Sequence, residues 1–101
     1  MRTMVVKGAG QAISASTTAT LVNAGSNVNT WYFFNASAAN ASVNVQRTNS
    51  NFALQNGILV APGFGVLVSG DFNSAYQGNV FVGANLTAGT GTVYATPVIE
   101  V

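Results

Sequence analysis

The chain has 101 residues with 5% charged side chains, against about 25% in an average soluble domain, and a net charge of +1. It has no His, no Cys and two distant acids, which excludes a His-based triad, a Cys nucleophile, disulfides and the usual zinc sites, and disfavours paired-carboxylate chemistry. We therefore expect one non-enzymatic domain that needs no cofactor and binds neither nucleic acid nor a membrane, since basic residues and long apolar runs are both scarce.

Residue composition favours an all-β fold. The chain holds 27 Val, Ile and Thr residues but only one Lys and one Glu. β-branched side chains pack well on a pleated sheet, whereas the straight-chain residues that favour helices are scarce. Turn signals recur about every 8–12 residues, a spacing typical of antiparallel sandwiches. We predict a single antiparallel β-sandwich or small barrel of about seven to eight short strands.

Residues 1–27 are small and polar, and they predict an extended N-terminal arm ahead of the sandwich. Short strands are expected within this arm near residues 4–7 and 19–22. The arm carries two cations, Arg2 and Lys7. These two side chains either rest on an acidic protein surface or belong to a solvated tail.

The sandwich domain is predicted to span residues 28–101, and its clearest strand is Val28 to Asn35. Alternation within the aromatic run 31–34 places Tyr32 and Phe34 on one face and the other two rings on the opposite face. Because both faces carry bulky side chains, we expect a central strand with one face in the core and the other beneath a neighbour.

Later strands and turns follow the same kind of pattern. Further strands are expected at residues 42–48, 58–60, 64–69, 80–84 and 92–101. Asn56-Gly57 predicts a two-residue hairpin turn, because both positions favour a positive φ. Pro62-Gly63 predicts a type II turn, and Pro97 indicates that the last strand lies at an edge or contains a bulge.

Residues 70–79 form the least regular stretch and predict either a functional loop or one helical turn capped by Asp71 or Asn73. Its two aromatic residues, Phe72 and Tyr76, either fill the core, contact a partner subunit or bind a ligand. The sequence predicts no catalytic, cofactor-binding or metal-binding residue. The candidate partner contacts are Arg2, Lys7, Asp71, Phe72 and Tyr76.

Two kinds of binding function fit this composition. A near-neutral surface has little self-repulsion, so it favours a subunit in permanent contact with its neighbours over a polar monomer. Aromatic rings could instead form a platform for sugar rings in a carbohydrate-binding or adhesin-like module. That second hypothesis requires an exposed platform among Trp31, Tyr32, Phe72 and Tyr76.

The order of short motifs over about residues 52–101 carries a family resemblance. These motifs are Gly57-Ile58, Ala61-Pro62-Gly63, Gly78-Asn79-Val80-Phe81-Val82-Gly83, Gly91-Thr92-Val93-Tyr94-Ala95 and the closing Val98-Ile99-Glu100-Val101. Their order resembles the small β-sandwich virion proteins of tailed bacteriophages. That group includes capsid decoration (cement) proteins and head-fibre or tail accessory domains.

The resemblance implies a structural protein made in the host cytoplasm and bound to the outer capsid surface of the virion. Such a protein would stabilise the assembled head by bridging capsomers, with the major capsid protein or other virion proteins as partners. The resemblance also implies a homo-oligomer, commonly a trimer. A tail or head-fibre accessory protein is the alternative within the same group, and no site residue transfers from it.

Overall fold

The computed structural model describes residues 3–24, 28–72 and 76–100. These residues form an all-β sandwich of two packed antiparallel sheets, which confirms the predicted fold class. The strands are β1 (Met4–Val6), β2 (Gln11–Ala15), β3 (Thr20–Asn23), β4 (Thr30–Asn35), β5 (Ala41–Gln46), β6 (Ile58–Val60), β7 (Gly65–Ser69), β8 (Phe81–Leu86) and β9 (Gly91–Glu100). A short 3₁₀ helix, Leu54–Asn56, precedes β6.

Strand pairing follows a nested order. β2 pairs with β9, β3 with β8, β4 with β7 and β5 with β6, so early strands pair with late ones. Two further ladders, β4 with β9 and β5 with β8, complete a first sheet of order β2–β9–β4–β7 and a second sheet of order β3–β8–β5–β6. Nested antiparallel pairs wrapped into two sheets are the arrangement of a jelly roll.

The junction between β1 and β2 lies opposite Pro97 of the last strand. Both strands pair with the same side of β9, β1 with its end and β2 with its beginning. Between them, residues 7–10 form a bulge, where Gly8 has a φ of 141° that favours glycine. The Lys7 N–H donates to the Pro97 carbonyl oxygen at 2.8 Å. Pro97 therefore lies in a central strand, so the predicted edge position is wrong, and the bulge is in the neighbouring segment 7–10 and not in β9.

The predicted extended N-terminal arm is not confirmed, because this segment is built into both sheets. β1 and β3 lie near the two strands expected there, and the sequence pattern does not predict β2. Ile13 is the only large apolar residue of β2, but Ile13 and Ala15 are both buried in the core. The described residues hold nine strands, which is more than the predicted number.

The core lies between the sheets and follows the alternation along each strand. In β4, Trp31 and Phe33 are fully buried, and the indole N–H of Trp31 donates to the Val28 carbonyl oxygen at 2.7 Å. The facing second sheet contributes mainly small and β-branched side chains. These are Ala41, Val43, Val45, Val60, Val82, Ala84 and Leu86.

A buried amide holds the crossing from β4 to the second sheet. The Asn35 amide nitrogen donates to the carbonyl oxygens of Ala39 at 2.8 Å and Val60 at 2.9 Å. Its Oδ1 accepts from the Ser37 N–H at 2.9 Å and from the Ser37 hydroxyl at 2.6 Å. All of these groups are paired, so full burial of Asn35 leaves no polar atom unsatisfied there.

The two turn predictions have different outcomes. The Pro62-Gly63 turn is confirmed, since Gly63 has a φ of 78° and a hydrogen bond of 3.1 Å closes the turn. The Asn56-Gly57 hairpin turn is wrong, since Gly57 has a φ of −115° and follows the 3₁₀ helix in an extended conformation. A Cβ at Gly57 would collide with Ser42, so close packing explains that glycine.

Candidate interaction surface

The outer face of the first sheet carries large apolar side chains in contact with water. Leu67 and Tyr94 are each 49% exposed, and Tyr32 and Phe34 are 40% and 37% exposed. Strand register places Phe34 beside Tyr94 and Tyr32 beside Leu67, so these side chains are neighbours on adjacent strands. We call this surface the open face. A contiguous apolar patch of this kind marks an interaction site more often than a plain surface.

Charged residues lie only at the border of the open face within the described strands. Lys7 is in the bulge between β1 and β2, and Glu100 ends β9 opposite Met4. The interior of the face has aromatic, aliphatic and Thr side chains. Aromatic enrichment and charge depletion are the composition of the buried centre of a protein interface.

One half of the open face is raised into an aromatic ridge. Phe34 and Tyr94 form a cross-strand pair, and the residue beyond Tyr94 on β2 is the small Ala12. On the other side, Phe34 pairs with Gly65 of β7. A Cβ at Gly65 would collide with the Tyr32 ring, so that ring lies across the glycine and continues the ridge.

The other half of the open face is hollow. An apolar groove of about 440 Å³ lies along β1 and the end of β9 and extends across β4 to β7. Its lining is Met4, Val6, Tyr32, Leu67, Thr96 and Val98. Tyr32 is the wall that the groove shares with the ridge.

The outer face of the second sheet is covered in part by the chain itself, while Leu59 on its edge strand β6 stays 61% exposed. Residues 47–57 cross it, and the Phe52 ring lies on Gly83, where an added Cβ would be 2.9 Å from the Phe52 Cε1 atom. The Ser42 hydroxyl donates to the Leu54 carbonyl oxygen at 2.8 Å, and the Asn85 amide donates to the Phe52 carbonyl oxygen at 3.2 Å. We call this surface the covered face.

Two of the sequence-predicted contact residues line a separate polar pocket, and a third, Tyr76, packs beside it. Asp71 and Phe72 line this pocket of about 270 Å³ with Arg47, a residue that the sequence analysis did not select. The Phe72 and Tyr76 rings are 5.0 Å apart, and the Arg47 guanidinium carbon is 6.0 Å from the centre of the Tyr76 ring. That distance is within the range of a cation–π interaction.

Packing at this pocket gives Phe72 and Tyr76 one of the roles that the sequence left open, a contact with the core. Phe72 and Tyr76 are half-buried and pack against the edge of the core, while Asp71 is exposed. The Asn29 amide donates to the Phe72 carbonyl oxygen at 2.8 Å and ties this segment to the start of β4. Asn73, the other expected helix cap, lies outside the described residues.

The two remaining candidates do not join this group. Lys7 is exposed in the bulge of the first sheet and does not line the polar pocket. Arg2 lies outside the described residues. Within the described ranges, no group of three or more His, Cys, Asp or Glu residues is placed to hold a metal ion. No helix in those ranges has the length and apolar character needed to cross a bilayer.

Sequence reasoning placed Tyr32 and Phe34 on one face of β4 and expected one face beneath a neighbour, but it did not select Leu67 or Tyr94 as contact residues. Tyr94 stands between the buried Val93 and Ala95, and its outward position follows from that alternation. Leu67 stands between Val66 and Val68 in the same way. A large apolar residue on the side of a strand opposite its core-facing residues was the available signal.

No protein-family model, no curated protein and no solved structure matches this chain. A functional proposal therefore depends on the surfaces of the chain itself.

Proposed function

We propose that this protein is a non-enzymatic structural protein of a bacteriophage particle, specifically a capsid decoration protein that binds the outer surface of the assembled head. The observation that carries the proposal is the open face, an aromatic-rich sheet surface on which the charged residues that the structure describes lie at the border. Monomeric soluble proteins rarely expose apolar patches of more than a few hundred Å². A subunit of a permanent assembly would bury such a surface against its neighbours.

The polar pocket supplies a second and chemically different contact region. Arg47 and Asp71 give it both signs of charge, and the half-buried rings of Phe72 and Tyr76 hold its wall to the core. We assign the contact with the major capsid protein to this pocket and to the N-terminal residues that include Arg2. A decoration protein that bridges subunits needs more than one contact region, and this chain offers two.

The mechanism of stabilisation is mass action. A protein that binds the assembled lattice, and not the separate subunits, stabilises the lattice by its own binding free energy. Oligomeric copies would bind several lattice positions at once, which raises the effective concentration of each contact. The jelly-roll arrangement agrees with this proposal by analogy, because viral capsid domains use the same architecture.

A carbohydrate-binding module is the second candidate, and the exposed rings of Tyr32, Phe34 and Tyr94 are the observation that favours it. Jelly rolls also occur in lectins, and flat aromatic surfaces stack on sugar rings. Trp31 is fully buried and cannot belong to such a platform. The groove beside these rings is lined mostly by aliphatic residues, so it offers few of the hydrogen bonds that fix a sugar.

The experiment that tests the proposal places the protein in purified particles. Antibody raised against the isolated protein, with gold detection by electron microscopy, should label the heads of particles from the culture that carries the gene. Heads stripped of the protein should regain thermal stability when the wild-type protein is added back. Absence from particles, or label on the tail alone, would refute the decoration role.

A matched pair of variants tests the polar pocket in the same add-back assay. Asp71→Ala removes an exposed charge at the pocket, and Thr17→Ala changes an exposed residue elsewhere. We expect Asp71→Ala to bind stripped heads about tenfold more weakly, which corresponds to about 1.4 kcal/mol. The Thr17→Ala protein should bind as the wild type does, and equal binding by both variants would remove the pocket from the contact.

A further inference from the structure

We infer that the open face binds a second copy of this chain through the same face, about a twofold axis that lies in the interface, parallel to the first sheet. The inference rests on the proposed assembly role of that face and names its partner. It leaves the polar pocket of each copy available for another protein. It also replaces the trimer that the family resemblance implies with a dimer.

The size of the open face suits a dimer. β9 spans 10 residues, and β4 and β7 span 6 and 5. With a rise of about 3.3 Å per residue and a strand spacing of about 4.8 Å, the four strand positions cover roughly 500 Å² per copy. Two such faces in contact bury about 1,000 Å² in total, which is the lower bound for a specific interface.

The relief of the open face is self-complementary. The aromatic ridge and the apolar groove lie side by side on one surface, and Tyr94 and Val98 of β9 are separated by roughly 13 Å along the strand. In a twofold contact, residue i of one copy meets residue j of the other, and residue j meets residue i. A twofold axis that runs across the strands at Thr96 and Tyr32, parallel to the sheet, places Tyr94 of each copy over Val98 of its partner and so puts each ridge into the facing groove.

Charge also favours a second copy over a different partner. An acidic or basic partner would find no opposite charge among the described residues within the open face, because Lys7 and Glu100 lie at its border. Residues near a twofold axis meet their own copies, so charges there would repel each other. A face with an uncharged interior meets its own copy without that penalty.

The dimer also explains an expectation that the single chain leaves unmet. The sequence predicts that one face of the aromatic strand β4 lies in the core and the other beneath a neighbour. Trp31 and Phe33 occupy the core, but Tyr32 and Phe34 have no covering element among the described residues. A second copy supplies the missing neighbour.

Native mass spectrometry and sedimentation equilibrium of the purified chain test the inference. The wild type should have twice the 10.3 kDa mass of the chain. Tyr94→Glu puts a charge on the ridge, and Leu67→Lys puts one in the groove. Each dimer contains two ridge-in-groove contacts, so each variant should raise the dimer dissociation constant by about 100-fold, or about tenfold per contact.

Leu59→Lys is the matched control, because Leu59 is 61% exposed on β6 of the second sheet. This variant should remain a dimer with the wild-type dissociation constant. Circular dichroism of all three variants checks that each is folded. A folded Leu67→Lys protein that stays dimeric, or a Leu59→Lys protein that dissociates equally, would overturn the assignment of the face.

Mixing Tyr94→Glu with Val6→Lys tests the geometry directly, because Val6 lines the groove beside Val98, the residue that faces Tyr94 of the partner copy. Their heterodimer has one contact that is wild-type and one that pairs the new Glu with the new Lys. We expect the mixture to form a heterodimer at concentrations where each variant alone is a monomer. No heterodimer, a trimeric wild-type mass, or a monomeric wild type at about 100 μM would overturn the twofold proposal.

These outcomes are independent of the particle experiment. A dimer that is absent from phage particles would refute the decoration role and leave the twofold interface standing. A monomeric protein that the antibody detects on phage heads would support the decoration role and refute the twofold interface.

Discussion

The open face and the part of the covered face that lies beneath residues 47–57 have opposite relations between polarity and exposure. On the covered face, the buried residues are small or polar, including Ser42, Gly83 and Asn85. On the open face, the exposed residues are aromatic or aliphatic, including Tyr32 and Leu67. A chain that buried its apolar surface only against itself would show the reverse distribution. This comparison is the basis for proposing a contact outside the chain at the open face.

The covered face also shows how the chain covers one of its own sheets. Residues 47–57 are attached by side-chain hydrogen bonds from Ser42 and Asn85 to backbone carbonyl oxygens. Gly83 leaves room for the Phe52 ring above the sheet. One polar atom under this cover, Asn85 Oδ1, is buried and has no partner among the described residues. Hydrogen bonds and one ring therefore hold this segment, where the open face has only apolar surface.

The largest expected difference between the faces comes from removing one ring from each. Both substitutions are made in the Leu67→Lys variant, which we expect to be a monomer. Phe52→Ala should lower the free energy of unfolding by about 2 kcal/mol, because this half-buried ring covers Gly83. Tyr94→Ala should lower it by less than about 1 kcal/mol, because half of that side chain is already in water. Urea denaturation measures both values. Equal losses would mean that the two faces are covered to the same extent.

A smaller difference is expected when one hydroxyl is removed from each face. Ser42→Ala takes away the donor to the Leu54 carbonyl oxygen in a fully buried position, which costs about 1–2 kcal/mol. Thr96→Ala removes a half-buried hydroxyl in the groove and should change the free energy by less than about 0.5 kcal/mol in the same background. Chemical denaturation of the two proteins side by side gives the comparison. A neutral Ser42→Ala would show that the segment 47–57 is held by Phe52 alone.

Strand positions were predictable where large apolar residues alternate, and less so elsewhere. The alternation in residues 28–35 locates β4 and its inward Trp31, and Pro62-Gly63 specifies its turn from local chemistry. Alternation does not predict β2, because one Ile is its only large apolar residue and its pairing with β9 is a long-range contact. The Asn56-Gly57 prediction failed for a related reason. Packing against Ser42, which is distant in sequence, overrides the turn preference of that dipeptide.

The candidate surfaces were predictable only in part. The segment around residues 70–79 was chosen for its aromatic and acidic residues, and the structure does bring Asp71, Phe72 and Tyr76 together. Arg47 joins them from the end of β5, a proximity that only the fold creates. The open face combines residues from β1, β4, β7 and β9, and no local pattern shows that these strands are neighbours.

The smallest expected effect is a change in the melting temperature of the wild-type chain, and it distinguishes the two faces without a substitution. If the open face is buried in a dimer, unfolding also dissociates the dimer, so the melting temperature of the wild type should rise with protein concentration. A tenfold increase in concentration adds about 1.4 kcal/mol per dimer, or about 0.7 kcal/mol per chain, which corresponds to roughly 3–5 °C for a domain of this size. Leu67→Lys should melt at one temperature across the same range, and Leu59→Lys should follow the wild type. A wild-type melting temperature that does not depend on concentration would mean that no second copy covers the open face. The two outer faces would then differ in composition alone.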